Sequence, residues 1–283
     1  MKKRILLICC ASLLLLVAVG VTIYPLVSNR VNEKYQSLVC TEYDEAVAEE
    51  DDKKIQDAKE EALEYNQALL PVQYHTDALQ AAQVDYHTLL NIGGNNIMGY
   101  VEIPKIDLYQ PIYHGTGTEI LDDGIGHLIG SSLPIGGDGT HAVLTGHSGV
   151  AGKRLFSDID QLTQGDVFYI HVLDDVLAYE VTETHTVLPY DTTFLTIEDG
   201  KDRCTLITCV PFGINTHRLL VQGDRIPYEE AEQIREVTAK ITAPSTWQRQ
   251  YYRGLLMGVV MALGGGAGIF YLMRKRRTHH AKK

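Results

Sequence analysis

Two uncharged apolar runs, one near each end of the chain, limit what the rest can fold into. Ile5 to Val27 spans 23 residues without a charge, and Gly254 to Met273 spans 20 more. Each is long enough, as a helix, to cross roughly 30 Å of hydrocarbon. A buried core helix is the other reading of such a run, and the position of one run at each end argues against it. The expectation is therefore two terminal transmembrane helices. Lys2, Lys3 and Arg4 precede the first, and Arg274, Lys275, Arg276, Arg277, Lys282 and Lys283 follow the second. Basic flanks stay on the cytoplasmic side, so both termini are expected in the cytoplasm and residues 28–253 outside it. The segment after the first run, Tyr24-Pro25-Leu26-Val27-Ser28-Asn29, lacks a small-x-small cleavage site, which favours an uncleaved anchor over a signal peptide.

Nine of the 25 basic residues belong to those two flanks, which contain no acidic residue. Between them, 16 basic residues face 36 acidic ones, a net charge of about −20. Such an exterior excludes nucleic acid as a partner. The lipid bilayer is the expected one. With 283 residues, the chain has room for one mid-sized domain plus attachments.

Residues 29–70 are rich in Glu, Asp, Ala, Lys and Gln and contain neither Gly nor Pro, so they read as one or two polar helices. Asn91-Ile92-Gly93-Gly94-Asn95-Asn96 is a strong break, and the texture beyond it changes to short β-type runs separated by turns. The runs are Met98–Ile103, Ile106–His114, His141–His147, Val167–Val172, Val176–Leu188, Arg203–Cys209 and His217–Gly223. Short helical pieces fit Thr118–Asp122 and Leu155–Leu162. Strands at this spacing predict a closed, mainly antiparallel barrel. The expected division is an anchor at 1–28, an extracytoplasmic helical stalk with a possible lid at 29–97 and the barrel at 98–228. A linker helix at 229–253, a second span at 254–273 and a basic tail at 274–283 complete it.

Of five cysteines, Cys9 and Cys10 lie in the first span and Cys40 in an expected helix. Cys204 and Cys209 are five apart on one strand and so point to opposite faces, which prevents a bridge between them. An unpaired cysteine outside the cell invites a chemical explanation. The strand Thr205-Leu206-Ile207-Thr208-Cys209 ends at a cysteine, and Pro211, Gly213 and Asn215 then turn the chain into a strand carrying Arg218. A third run, Leu144-Thr145-Gly146-His147-Ser148-Gly149, ends in a histidine flanked by glycines. A thiol with a pKa near about 8.5 is only partly ionised at neutral pH, so a nucleophilic cysteine needs a histidine to supply the thiolate or take its proton. Acyl transfer also needs donors for the oxyanion, which arginine provides with a permanent charge. On spacing alone, a core cysteine, a structural histidine and a solvated arginine are the commoner readings of such residues.

The motifs themselves carry a resemblance. Thr205-Leu-Ile-Thr-Cys209 resembles the TLxTC signature of sortases, Arg218 stands where that family has its arginine, and Thr145-Gly-His147 is similar to its catalytic histidine segment. Gly99-Tyr-Val-Glu-Ile-Pro-Lys-Ile106, Gly126-His-Leu-Ile-Gly-Ser-Ser-Leu-Pro-Ile-Gly-Gly137 and Asn215-Thr-His-Arg-Leu-Leu-Val-Gln-Gly223 resemble class C, pilus-assembling sortases. The match covers about residues 98–228, nearly half the chain.

The resemblance implies a mainly β fold, an eight-stranded sortase barrel with short helices. It also implies a cysteine transpeptidase in which Cys209 attacks the Thr–Gly bond of an LPxTG-like signal. His147 would act as acid and base, Arg218 would steady the oxyanion or substrate, and no metal or organic cofactor is required. The accepting amine is implied to be a pilin lysine; attachment to a cell-wall precursor and an inert, membrane-tethered scaffold barrel are the alternatives. Thr208 and Thr145 flank the catalytic residues and, with Phe212, are candidate substrate-binding residues.

Two features depart from class C. The Asp-Pro-aromatic lid motif is missing, Asp77-Ala78-Leu79 being its nearest echo, so Asp77 and Leu79 are the candidate lid residues. Ser148 follows the histidine where arginine is common. The remaining histidines, among them His114, His127, His141, His171 and His185, lack metal-ligand spacing.

Overall fold

The computed structural model describes residues 2–69, 85–238 and 245–280. The candidate lid residues Asp77 and Leu79 lie outside the described residues. The first apolar run continues without interruption into the polar segment as one helix, α1 (Lys2–Ala48). Its outer half turns Val39, Cys40 and Tyr43 onto Ile97 and Tyr100 of the first strand. The Tyr43 hydroxyl donates to Met98 O at 2.9 Å and accepts from Leu173 N at 2.8 Å, which bolts the helix to two strand ends.

Helix α2 (Asp52–Leu69) opens with Asp51 Oδ1 accepting from Lys53 N at 2.8 Å, an N-terminal cap for otherwise unpaired amides. Ile55, Ala62, Tyr65 and Leu69 fall on one face and enter the main core. Beside them Asn66, also buried, clamps Leu133, accepting from its amide at 2.6 Å and donating to its carbonyl at 3.2 Å.

Eight strands follow: β1 (Ile97–Ile103), β2 (Leu108–His114), β3 (Ile125–His127), β4 (Thr140–Thr145), β5 (Val167–Val172), β6 (Asp175–Val187), β7 (Asp202–Val210) and β8 (His217–Ile226). They close into a barrel in the order β1-β2-β3-β4-β7-β8-β6-β5. Six pairings are antiparallel; β2–β3 and β4–β7 are parallel. The expected barrel thus forms, with local differences: the strand expected to reach His147 stops at Thr145, and the one expected to end at Gly223 runs on to Ile226. The three-residue β3 is too short to show alternation. The strand expected from Ile106 starts at Leu108, because Pro104–Ile106 makes a 3-10 turn that ends on Asp107 at φ 48°. The helical piece expected at Leu155–Leu162 shrinks to a 3-10 turn at Ile159–Gln161, since Leu155 sits at φ 43°, outside helical backbone.

Period-two alternation sorts each strand into an interior and an outer set. Ala142, Leu144, Cys204, Leu206 and Val221 fill the interior with Met98, Phe156 and Phe168. Val143, Ile207 and Leu220 point outward and form a second buried cluster with Val187 and Leu195. A short helix, α3 (Thr118–Asp123), precedes β3, and α4 (Tyr228–Thr238) packs Ala231 on Val167, Tyr169 and Ala178. Helix α5 (Thr246–His280) forms a separate compact unit and contains the second uncharged run.

Candidate active site

Cys209 and Arg218 are direct cross-strand partners in the β7–β8 ladder. Both follow the outer set, since Ile207 and Leu220 beside them belong to the outer cluster. Both are half-buried, whereas Cys204 is fully buried and its thiol is pushed far up by desolvation. The two cysteines of this strand therefore face opposite ways, as their spacing predicts.

His147 lies two residues beyond β4, which runs parallel to β7 with Thr145 opposite Ile207. Three hydrogen bonds extend that pairing past the strand end. Gly146 N donates to Ile207 O at 3.0 Å, the Thr208 hydroxyl donates to Gly146 O at 2.9 Å, and the Ser148 hydroxyl donates to Cys209 O. His147 is thus held between two residues that are each tied to the cysteine strand. A Cβ on Gly146 would stand 2.5 Å from Ile125 Cδ1 and 2.8 Å from the Phe156 ring, so position 146 faces the packed interior and must be glycine. Its neighbour Thr145, opposite Ile207, takes the outer face, the one carrying Cys209 and Arg218, and His147 follows two residues on.

The turn after the histidine is built for close approach. Gly149 has φ 77°, and a Cβ there would lie 3.0 Å from Gly213 N in the β7–β8 loop. Its amide donates to Ser157 Oγ at 3.1 Å. Arg218 Nη1 donates to the carbonyls of His217 at 3.1 Å and Asn215 at 3.3 Å. Both bonds use Nη1, and the guanidinium has further N–H donors of the kind an anion takes. Beneath the site, His141 Nδ1 donates to Thr196 O at 2.9 Å while Nε2 accepts from the Thr205 hydroxyl at 2.7 Å. Burial holds this imidazole below its usual pKa, and the neutral ring pins the β6–β7 loop to the cysteine strand.

The sortase domain family model matches residues 101–226. Sortase C1 from Streptococcus agalactiae superposes with a TM-score of 0.63 at 42% identity, covering 67% of this chain and 98% of that one. Sortase C of Clostridium perfringens, solved with the C-terminal cell wall sorting motif, gives 0.59 at 40%, covering 68% and 99%. The chain belongs to the sortase family. Sortases are cysteine transpeptidases, and the solved neighbours are of class C. Sortase D from Bacillus subtilis (strain 168) is 31% identical over 45% of this chain, and the chain spans 63% of that relative's length.

Within this sortase the three candidate substrate residues have different places. Thr208 is 2% exposed and spends its hydroxyl on Gly146, so it is a tie between strands and has no surface to offer a substrate. Thr145 is half-buried on the outer face. Phe212 is half-buried in the β7–β8 loop, with Cδ1 3.7 Å from where a Gly149 Cβ would be. Ser148 is a tie to the cysteine strand that sequence reasoning passed over. It registered as a missing arginine, although a small hydroxyl between a histidine and a glycine is what a close strand-to-loop tie requires.

Proposed function

We propose that this chain is a membrane-tethered class C-type transpeptidase. It cleaves an LPxTG-like signal between Thr and Gly and joins the new acyl group to a pilin lysine. The observation that supports this reading is the register: Cys209 opposite Arg218, with the segment around His147 tied alongside by hydrogen bonds at residues 146 and 148. In the first half-reaction the Cys209 thiolate attacks the threonine carbonyl carbon. Arg218 N–H groups receive the oxyanion, and the C–N bond breaks as protonated His147 gives its proton to the departing glycine amine. In the second half a lysine amine attacks the thioester, His147 takes its proton, and the C–S bond breaks to restore the thiolate. Neither half needs a metal or cofactor.

Exposed apolar side chains at Leu188, Tyr190 and Ile214, in the loops flanking β7, suit the Leu-Pro part of such a signal. For the membrane, α1 is long and apolar enough to cross a bilayer by length and composition. Helix α5 opens with Trp247, Tyr251 and Tyr252 ahead of its uncharged run, the aromatic belt expected at a lipid–water boundary. Both termini would then be cytoplasmic and the barrel extracytoplasmic.

The test is incubation of the full chain with LPxTG-type peptides and a candidate pilin, followed by mass spectrometry. Ligation to lysine is expected; ligation to a cell-wall precursor amine instead would assign the anchoring role. Cleavage surviving in Cys209→Ala removes the mechanism. Arg218→Lys is expected to cost about 10²–10³ in kcat, since a single ammonium cannot reproduce a planar donor fork. Near-normal turnover in that variant would remove its role.

A further inference from the structure

The loop that carries His147 is gripped on its far side by α1, a few residues after the apolar run ends. Gly152 backs onto Ser28, the first residue past Val27, so closely that a Cβ on Gly152 would stand 2.6 Å from Ser28 Oγ. Asn32, one helical turn on, donates from Nδ2 to Gly152 O at 2.9 Å and to Ser28 O at 2.9 Å. Glu33 adds an ion pair to Arg154 at 3.5 Å and is itself steadied by Asn29 Nδ2 at 2.9 Å. Gln36 Nε2 donates to Asp123 O, and Lys153 donates to Asp122 O, which fastens α3 into the same junction.

From that junction the contacts lead back to the site in two steps. Arg154 binds the fully buried Asp158 through Nε and Ile106 O through Nη2. Next to it, Phe156 N donates to His147 O at 3.1 Å, the Phe156 ring lies on Gly146, and Ser157 Oγ accepts from Gly149 N. The histidine segment therefore has two fixed sides, one on β7 and one on α1.

We infer that α1 is a positioning element for His147, and that Asn32, through Gly152, transmits the helix's placement to the histidine. This rests on the assignment of His147 proposed above. The apolar helix is then part of the reacting assembly as well as its tether. The general reason is that acyl transfer is sensitive to misplacement of about 1 Å at the proton-transfer group, while a glycine-rich turn resists such motion poorly unless something holds it.

The experiment uses the full chain in lipid vesicles and three variants. Asn32→Asp keeps the shape but replaces the donor with a carboxylate facing Gly152 O; Asn32→Leu removes the polar group; Tyr43→Phe breaks the other α1 bolt, away from the loop. Both Asn32 variants are expected to lower kcat about five- to tenfold with KM for the signal peptide unchanged. The rate of Cys209 alkylation should fall in parallel, which reads the thiol without requiring turnover. Tyr43→Phe should lower the melting temperature and leave kcat alone. Wild-type kcat and alkylation in folded Asn32→Asp would overturn the inference. So would losses in all three variants that merely track their melting temperatures. Absence of peptide cleavage in the unaltered chain would instead overturn the proposed function, with the alkylation comparison still reporting on the coupling.

Discussion

Replacing Thr208 by valine removes one oxygen and changes the shape of the side chain very little. That oxygen donates to Gly146 O at 2.9 Å, and Thr208 and Gly146 are both buried. Losing it leaves a buried carbonyl without its donor, a cost of about 1–3 kcal/mol. For a domain of this size each kcal/mol lowers Tm by about 2–4 °C, so the fall should lie between about 2 and 12 °C. Residues 208 and 146 each adjoin a proposed catalytic residue, so kcat should drop as well, by about tenfold. Thr208→Ser is the control. It keeps the hydroxyl and gives up one methyl, about 0.8 kcal/mol, with kcat near that of the parent. Circular dichroism melts and peptide-cleavage kinetics read both quantities. The reasoning fails if Thr208→Val melts with the parent, or if the serine variant loses as much activity as the valine one.

Gly146→Ala places a methyl 2.5 Å from Ile125 Cδ1 and 2.8 Å from Phe156, so it should cost about 1–3 kcal/mol of strain. A thermal melt checks this, and adding Phe156→Leu should recover part of the loss. Asn66→Ala strips both bonds from Leu133 and should lower the urea midpoint by the equivalent of about 1–3 kcal/mol, with the m-value unchanged. Burial depresses His127, to about 4, and His141, and each pairs one ring nitrogen with a carbonyl and the other with a hydroxyl, so both fold neutral. In the unfolded chain these two take up protons below pH about 6.5, so the stability they contribute is complete above that value and is lost as pH falls toward 4. Urea midpoints that stay flat from pH 7 to pH 5 would contradict this.

Strands were legible where they were long and their ends were marked. β7 and β8 stand out because an apolar run stops at Cys209, three turn formers follow, and a second run begins at His217. β3 was hidden because three residues cannot display a period of two. Its membership depends on parallel pairing with β2, where Ile112 meets Ile125. The site followed the same rule. Chemistry-bearing candidates at strand ends stood out by their types and motifs, whereas setting Cys209 directly opposite Arg218 needed the β7–β8 register. The ties could not be read this way. Ser148 to Cys209 O and Asn32 to Gly152 O join residues 61 and 120 positions apart, and no local pattern records such distances.

The strand order has a consequence for how the thiol comes into service. Without β7 and β8, the first six strands make a single curved sheet whose free margins are β4 and β6. The hairpin with Cys209 and Arg218 is the keystone that drops between those margins, pairing Ala142 with Cys204 on one side and Val187 with Arg218 on the other. Both joints must close before the barrel is complete, and unpaired margins left open invite aggregation. An unfinished chain therefore has a cysteine but no companions for it, and reactivity arrives together with the completed shell.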